Sequence, residues 1–352
     1  MQRRDFLRCS AMAGGLAGLA PALAWTQPAR ATPPAAPTAD WAWLTGQWKV
    51  GHRRLRERLA GSHDWETFDG ASAVWPTLGG WGNLDDNLVD LPAGAYRGVS
   101  LRAYDPVSAR WAIWWLDGRD PARIDPPVHG RFDGDSGIFT GRDTLRGQPI
   151  VMRFAWRDIH GPRPWWEQSF SGDDGRTWEV NWQNWFTRIA DAASPLPLLR
   201  DAPHDWDFLL GRWRLRGQQK RDRLAGASGW EPFDGTLAHW PLLGGHGNVA
   251  DLALRTPHGE EHRLWMHTHD TAAGEWLAWR LDRREPTRIA PPARGSFAGD
   301  SITFTESGSV PAATRMTWTR TGPASVRAEQ AVSTDGGAHW SPWWRAELAR
   351  AD

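Results

Sequence analysis

The sequence predicts an all-β protein built as two tandem antiparallel ten-stranded barrels, and three observations predict it. The first is a long repeat. Arg58-Leu59-Ala60-Gly61, Trp65-Glu66-Thr67-Phe68-Asp69-Gly70 and Trp75-Pro76-Thr77-Leu78-Gly79-Gly80-Trp81-Gly82-Asn83 return 165 positions later. The second copy reads Arg223-Leu224-Ala225-Gly226, Trp230-Glu231-Pro232-Phe233-Asp234-Gly235 and Trp240-Pro241-Leu242-Leu243-Gly244-Gly245-His246-Gly247-Asn248. The second observation is periodicity: short apolar or alternating runs broken by Gly, Pro, Asp and Asn fill each copy, with no long amphipathic helical period. The third is composition, since 27 tryptophans stand against two tyrosines, and indole rings suit strands and wide apolar layers.

Within the first copy the runs near Trp48 to Arg58, Trp65 to Trp75, Asn87 to Leu91, Arg97 to Tyr104 and Trp111 to Leu116 read as strands. Those near Val128 to Phe132, Gly137 to Asp143, Ile150 to Arg157, Trp165 to Ser171 and Trp178 to Thr187 complete ten. So many antiparallel strands must close or stack to hide their edges. The copies keep ungapped register from Asp40/Asp205 to Asp135/Asp300, then lose three residues before Trp156/Trp318. A repeat this long is a duplicated domain, because solenoid and propeller periods are far shorter.

The expected organisation is a twin-arginine export signal over residues 1–31, a Pro/Ala-rich linker over 32–39, one barrel over 40–189, a second linker over 190–203 and the second barrel over 204–352. The signal reading rests on Arg3-Arg4-Asp5-Phe6-Leu7-Arg8 and the Ala/Gly/Leu-rich run to Ala24, which places the mature chain in the periplasm or outside the cell. That run is too short and Gly-rich for a stable membrane span. The single cysteine, Cys9, lies inside the signal, which excludes disulfides and thiolate sites from the mature chain. Without residues 1–31, 37 basic residues stand against 40 acidic ones, so neither charge nor a basic face points to nucleic acid.

Leu44-Thr45-Gly46-Gln47-Trp48 and Leu210-Gly211-Arg212-Trp213 open the copies with Gly-x-Trp entering the first strand, and Arg188 and Arg350 close them. This resembles the calycin superfamily of lipocalin-like β-barrels. The resemblance implies that each tryptophan closes a barrel floor beneath the arginine, and that the barrel takes a small apolar or amphipathic molecule. A haem-binding relative, nitrobindin-like, uses a longer glycine pattern, from which Gly46-Gln47-Trp48-Lys49-Val50-Gly51 departs; no cofactor is expected. Ser171-Gly172-Asp173-Asp174-Gly175-Arg176-Thr177-Trp178 and its counterpart Ser333 to Trp340 resemble the Asp-boxes of sialidase propellers, whose physical content is a tight hairpin.

Alternation and retention between copies nominate the binding residues. Trp75, Trp114, Trp166, Trp240 and Trp279 are candidates for the apolar wall, and Arg56, Asn83, Arg123, Glu167 and Gln168, with Arg221, Asn248, Arg288, Glu329 and Gln330, for the polar end. The Leu-Gly-Gly-x-Gly-Asn segments read as wide turns bordering an entrance. Read as a strand, the first run puts His52, Arg54, Arg56 and Arg58 on one face. Arg56 and Arg58, with Arg221 and Arg223, could meet a ligand carboxylate or phosphate or the retained acids Glu66/Glu231, Asp69/Asp234 and Glu167/Glu329, because a buried guanidinium needs a partner. Glu167 and Glu329 are candidate acids for hydratase, isomerase or cyclase chemistry, or hydrogen-bonding groups without catalysis. His267 and His269 alternate on one strand and could ligate a metal or haem, or be surface residues. The duplication could instead provide a structural or partner-binding surface, signalled by kept packing residues and diverged interiors.

Overall fold

The computed structural model describes residues 37, 39–222, 229–306 and 313–351; the expected signal over 1–31, most of the expected first linker and Arg223 to Gly226 lie outside these. After a short helix, Ala39–Ala42, ten strands close the first barrel: β1 (Gly46–Leu55), β2 (Trp65–Thr77), β3 (Gly82–Leu91), β4 (Gly94–Asp105), β5 (Arg110–Asp117), β6 (Val128–Asp133), β7 (Ser136–Leu145), β8 (Gln148–Arg157), β9 (Trp165–Ser171) and β10 (Glu179–Ala190). Every neighbour in sequence is a neighbour in the sheet, and β1 pairs with β10 to close it.

The second barrel runs β11 (Gly211–Lys220), β12 (Trp230–Leu242), β13 (Gly247–Thr256), β14 (Gly259–Asp270), β15 (Glu275–Asp282), β16 (Ala293–Gly295), β17 (Phe297–Ala298), β18 (Ser301–Glu306), β19 (Ala313–Gly322), β20 (Ser325–Ser333) and β21 (Ser341–Arg350). The counterpart of β6 is broken into β16 and β17, and the β16 to β18 pairing, Arg294 with Thr305, completes the circuit. Counting the broken strand once gives ten. Closure leaves no free sheet edge in either barrel.

The floor of each barrel is built from the same four parts. Trp48 donates its indole N–H to Leu44 O at 2.8 Å, and the Arg188 guanidinium lies 4.1 Å from its ring centroid. Arg188 also donates to Thr45 O at 2.6 Å. In the second barrel Trp213 donates to Leu209 O at 2.7 Å, Arg350 lies 4.5 Å over its ring and Arg350 donates to Leu210 O at 2.6 Å. The cation serves the ring and the orphan carbonyls of the entering chain together.

Both barrels belong to one compact unit and meet through the glycine-rich segments of the repeat. Leu78 to Gly80 and Leu243 to Gly245 form single 3₁₀ turns, with Leu78 and Leu243 at φ of 54° and 55°. A leucine there costs about 1–2 kcal/mol, and the turn aims its N–H across the interface. Leu78 N–H donates to Asp251 Oδ1 at 3.2 Å, and Leu243 N–H donates to Asp86 Oδ1 at 3.1 Å. Asp86 and Asp251 are themselves repeat equivalents, so the clasp is reciprocal. Around it Leu84, Val99, Leu101 and Leu116 pack with Val249, Leu264, Met266 and Leu281 in one apolar cluster. The rings of Trp75 and Trp240 face each other at 5.4 Å. The expected entrance turns are therefore the joint between barrels, and β3 starts at Gly82, five residues earlier than the sequence suggests.

The linker over 190–203 is docked along its course. Leu199 N–H donates to Gly244 O at 2.7 Å, and the Arg97 guanidinium donates to Pro197 O at 2.6 Å. Each Asp-box is a hairpin staple: Asp173 accepts the N–H groups of Arg176 and Thr177 at 3.1 and 2.9 Å, and Asp335 accepts that of His339 at 2.9 Å. No helix among the described residues is long and apolar enough to cross a membrane.

Burial raises the Asp251 carboxyl to about 7 against the single N–H it accepts. Burial likewise raises Asp86 to about 6, opposed mainly by Arg97 at 3.8 Å. A raised carboxyl contributes stability that is complete below its unfolded pKa near 4 and is lost as pH rises through the folded value. Asp251→Asn, which keeps the acceptor without the charge, should therefore gain on the order of 1 kcal/mol at pH 8 and nothing at pH 4. Urea unfolding at the two pH values checks this; equal effects at both would contradict it.

Candidate functional site

The strand alternation of the first barrel sends His52, Arg54, Asp85, Asn87, Ser100 and Arg102 inward, where they border a cavity of about 320 Å³. Its walls are aromatic, with Trp115, Trp166, Trp182, Tyr96, Phe154 and Phe170. That volume falls in the range of small-molecule sites.

At the base, Arg102 is held on three sides. It donates to Asp85 Oδ2 at 2.5 Å and to Asn83 Oδ1 at 2.6 Å, and its guanidinium lies 4.6 Å from the Trp41 ring centroid. Asp85 in turn accepts the Ser100 N–H at 2.8 Å. Burial of such a cation is tolerable only with this degree of pairing. Higher up, Arg54 bonds Glu66 at 2.5 Å, and Arg119 bonds Asp117 at 2.6 Å while lying 3.8 Å over Tyr96. His52 sits 2.7 Å from Asn184 Oδ1, and burial lowers its pKa to about 4, so the ring is neutral at ordinary pH.

The second barrel presents the same backbone positions with different chemistry. Ser72, Asp85, Asn87, Ser100 and Asn184 are replaced by Leu237, Ala250, Leu252, Trp265 and Ala346. Trp265 fills the middle, packing edge-on against Trp318 at 5.2 Å and Trp344 at 6.0 Å. His267 stands where Arg102 stands and stacks on Trp206, the equivalent of Trp41, at 4.4 Å. His239 Nε2 and His267 Nδ1 lie 2.9 and 2.7 Å from Asn248 Oδ1. One carbonyl oxygen accepting from both requires both rings to carry their protons on those nitrogens, and burial drives both pKa values down. The void left is about 20 Å³, room for about one water.

Of the residues expected to form a site, Trp166 and Gln168 border the cavity, Gln330 borders the small void, and Asn83 and Asn248 are buried hydrogen-bonding groups inside their barrels. Trp75, Trp240, Trp114 and Trp279 belong to the joint between barrels, although Trp114 also touches the cavity lining. Because β1 ends at Leu55, Arg56 leaves the sheet and is exposed beside Asp64 and Glu66. Arg221 is exposed near His258, Arg123 pairs with Asp120 and Asp125 on a loop, and Arg288 is an exposed loop residue. Glu167 alternates with the inward Trp166 and Gln168 and so faces outward, 3.6 Å from Arg157. Glu329 lies on the outer face of β20, between the inward Ala328 and Gln330. His267 is committed to Asn248, His269 lies against Trp276 at 5.0 Å, and no group of three metal-binding side chains occurs among the described residues.

Asp85, Arg102, Trp115 and Trp182 border the cavity without having been nominated from the sequence, which placed Arg54 only on the inner face of the first strand. For Asp85 and Arg102 a signal was present: they change together, to Ala250 and His267, while their neighbours Asn83 and Trp41 are kept as Asn248 and Trp206.

No protein-family model matches the chain, and no curated protein matches it. Among solved structures the chain is similar to a protein of unknown function of the DUF3598 family from Nostoc punctiforme, at 11% identity over 89% of this chain and 99% of that one, with a TM-score of 0.25. It is also similar to a candidate AttH from Nitrosomonas europaea, at 8% identity over 86% of this chain and 92% of that one, with a TM-score of 0.13.

Asp85→Ala leaves a buried guanidinium without its acid and should cost about 3–5 kcal/mol. Adding Arg102→His, to install the pair found in the second copy, should recover most of that loss. Urea denaturation of the single and double variants checks the coupling; additive losses would contradict it.

Proposed function

We propose that the chain is an exported binding protein for a small amphipathic molecule held inside the first barrel, with the second barrel as its filled partner. The observation that carries this reading is the contrast between copies: about 320 Å³ of aromatic-walled cavity in one and about 20 Å³ in the other, at equivalent positions of one fold. A core that is merely structural closes to native density, as the second barrel has done. The first keeps the small polar residues Ser72, Asn87 and Ser100 where the second has leucine and tryptophan, and the Arg102–Asp85 pair where the second has His267 and Ala250.

The closed ten-stranded circuits and the arginine stacked on each Gly-x-Trp tryptophan support membership of the lipocalin-like, calycin type. In that type the interior takes small molecules. The twin-arginine pattern at Arg3-Arg4 supports export. A hydratase, isomerase or cyclase reading through Glu167 or Glu329 finds no support in the geometry, since neither carboxylate faces the cavity.

Exchanging one residue between copies tests the reading with a neutral apolar fluorophore, N-phenyl-1-naphthylamine. Ser100→Trp should fill the first barrel and abolish binding with the circular dichroism unchanged, whereas Trp265→Ser should leave affinity in the first barrel within about twofold. Binding that survives Ser100→Trp would place the site elsewhere and overturn the proposal.

A further inference from the structure

Of the charged groups around the cavity, one cation and one acid have no ion pair among the described residues. Arg102 is matched by Asp85, Arg119 by Asp117 and Arg54 by Glu66. Asp125, which also borders the cavity, is matched by Arg123 at 2.7 Å. Asp143, the last acid of the lining, takes the N–H of Thr144 at 2.7 Å and lies in the field of Arg123. Arg58 has no ion pair among the described residues.

Its setting is specific. Arg58 follows β1 in the loop that crosses the upper end of the barrel, and its half-buried side chain lines the cavity with the guanidinium 5.8 Å from the Trp182 ring centroid. The two acids near enough to act on it are otherwise engaged: Glu66 holds Arg54 and Arg56, and Glu179 accepts the Leu59 N–H at 2.7 Å. The backbone on both sides is fixed, by that Leu59 bond and by Arg146, which donates to Arg58 O at 3.4 Å. Leu59 itself is held at φ of 51°. Loss of water around the guanidinium and the nearby Arg54 lower the Arg58 pKa to about 10, still charged at neutral pH. A desolvated cation without an acid, over an aromatic ring and facing an aromatic-walled space, is complementary to an anion carried by an apolar body.

We infer that the molecule bound by the first barrel is a monoanion, with its carboxylate or sulfonate on Arg58 and a flat apolar body between Trp115, Trp166 and Trp182. This rests on the reading of the first barrel as a binding site and adds the charge and orientation of its occupant. The head lies at the upper end beside the loop of Arg58, and the body points down toward the Arg102 base. Arg56, two residues earlier, has no part in it, because it is exposed and already paired with Asp64 and Glu66.

Two fluorophores with the same ring body test it on the full chain: 8-anilinonaphthalene-1-sulfonate, which is anionic, and N-phenyl-1-naphthylamine, which is neutral. The expected result is that both bind, the anion about tenfold more tightly. Arg58→Gln should erase that preference while leaving the neutral probe unchanged, Arg58→Lys should restore part of it, and Arg56→Gln should leave it intact. A preference that is absent, or that survives Arg58→Gln, overturns the inference while the cavity remains a binding site. Failure of both probes to bind the wild-type chain overturns the reading of the cavity itself.

Discussion

The buried Arg102–Asp85 pair on the Trp41 platform sets the character of the first barrel. A guanidinium at the bottom of a closed β-barrel is stable only while its acid, its amide partner Asn83 and its aromatic face are all in place. Once they are, the interior above them is committed to polarity, with Asp85 also held by the Ser100 backbone N–H. The second copy shows the alternative solution. Arginine becomes a neutral histidine, the acid becomes Ala250, and Trp265 fills the space that Ser100 leaves open. Removing the charge and closing the cavity are thus one change seen in several residues.

The joint between barrels follows a second constraint. Two strained turns, with leucines in the left-handed region, each direct a backbone N–H into a carboxylate of the other barrel. The arrangement uses the same residues twice because the copies face each other through equivalent surfaces, so one favourable contact is obtained in duplicate. The apolar cluster around it excludes water from Asp86 and Asp251, which is why both carboxyl groups resist ionisation. With the linker fastened to Gly244 and Arg97, the filled barrel acts as a buttress for strands β3 to β5 of the hollow one.

Much of this fold was legible in the sequence. The ungapped repeat gave two domains, period-two alternation gave the ten strands, and Gly46-Gln47-Trp48 with Arg188 marked a floor closure that the structure contains. The site was less legible, for a physical reason. Alternation separates the two faces of a strand but identifies the inner one only when the other meets water. On β2 to β5 both faces are buried, one in the barrel and one against the second barrel, so Trp75 and Trp114 looked like cavity residues when their rings belong to the joint. On β1 the strand stops at Leu55, three residues before the sequence suggests, which releases Arg56 to solvent and brings Arg58 to the cavity from a loop. The informative comparison was between the copies: retention marks what both barrels need to fold, whereas the exchanges at positions 85, 100 and 102 mark where one interior is open and the other filled.

The central claim is that one barrel of the pair holds a ligand and the other does not. Native mass spectrometry of the full chain titrated with 8-anilinonaphthalene-1-sulfonate measures this stoichiometry directly. The account predicts saturation at one molecule per chain, with that adduct lost in Ser100→Trp. Saturation at two, or an adduct that persists when the first barrel is filled, would contradict the division of roles between the copies.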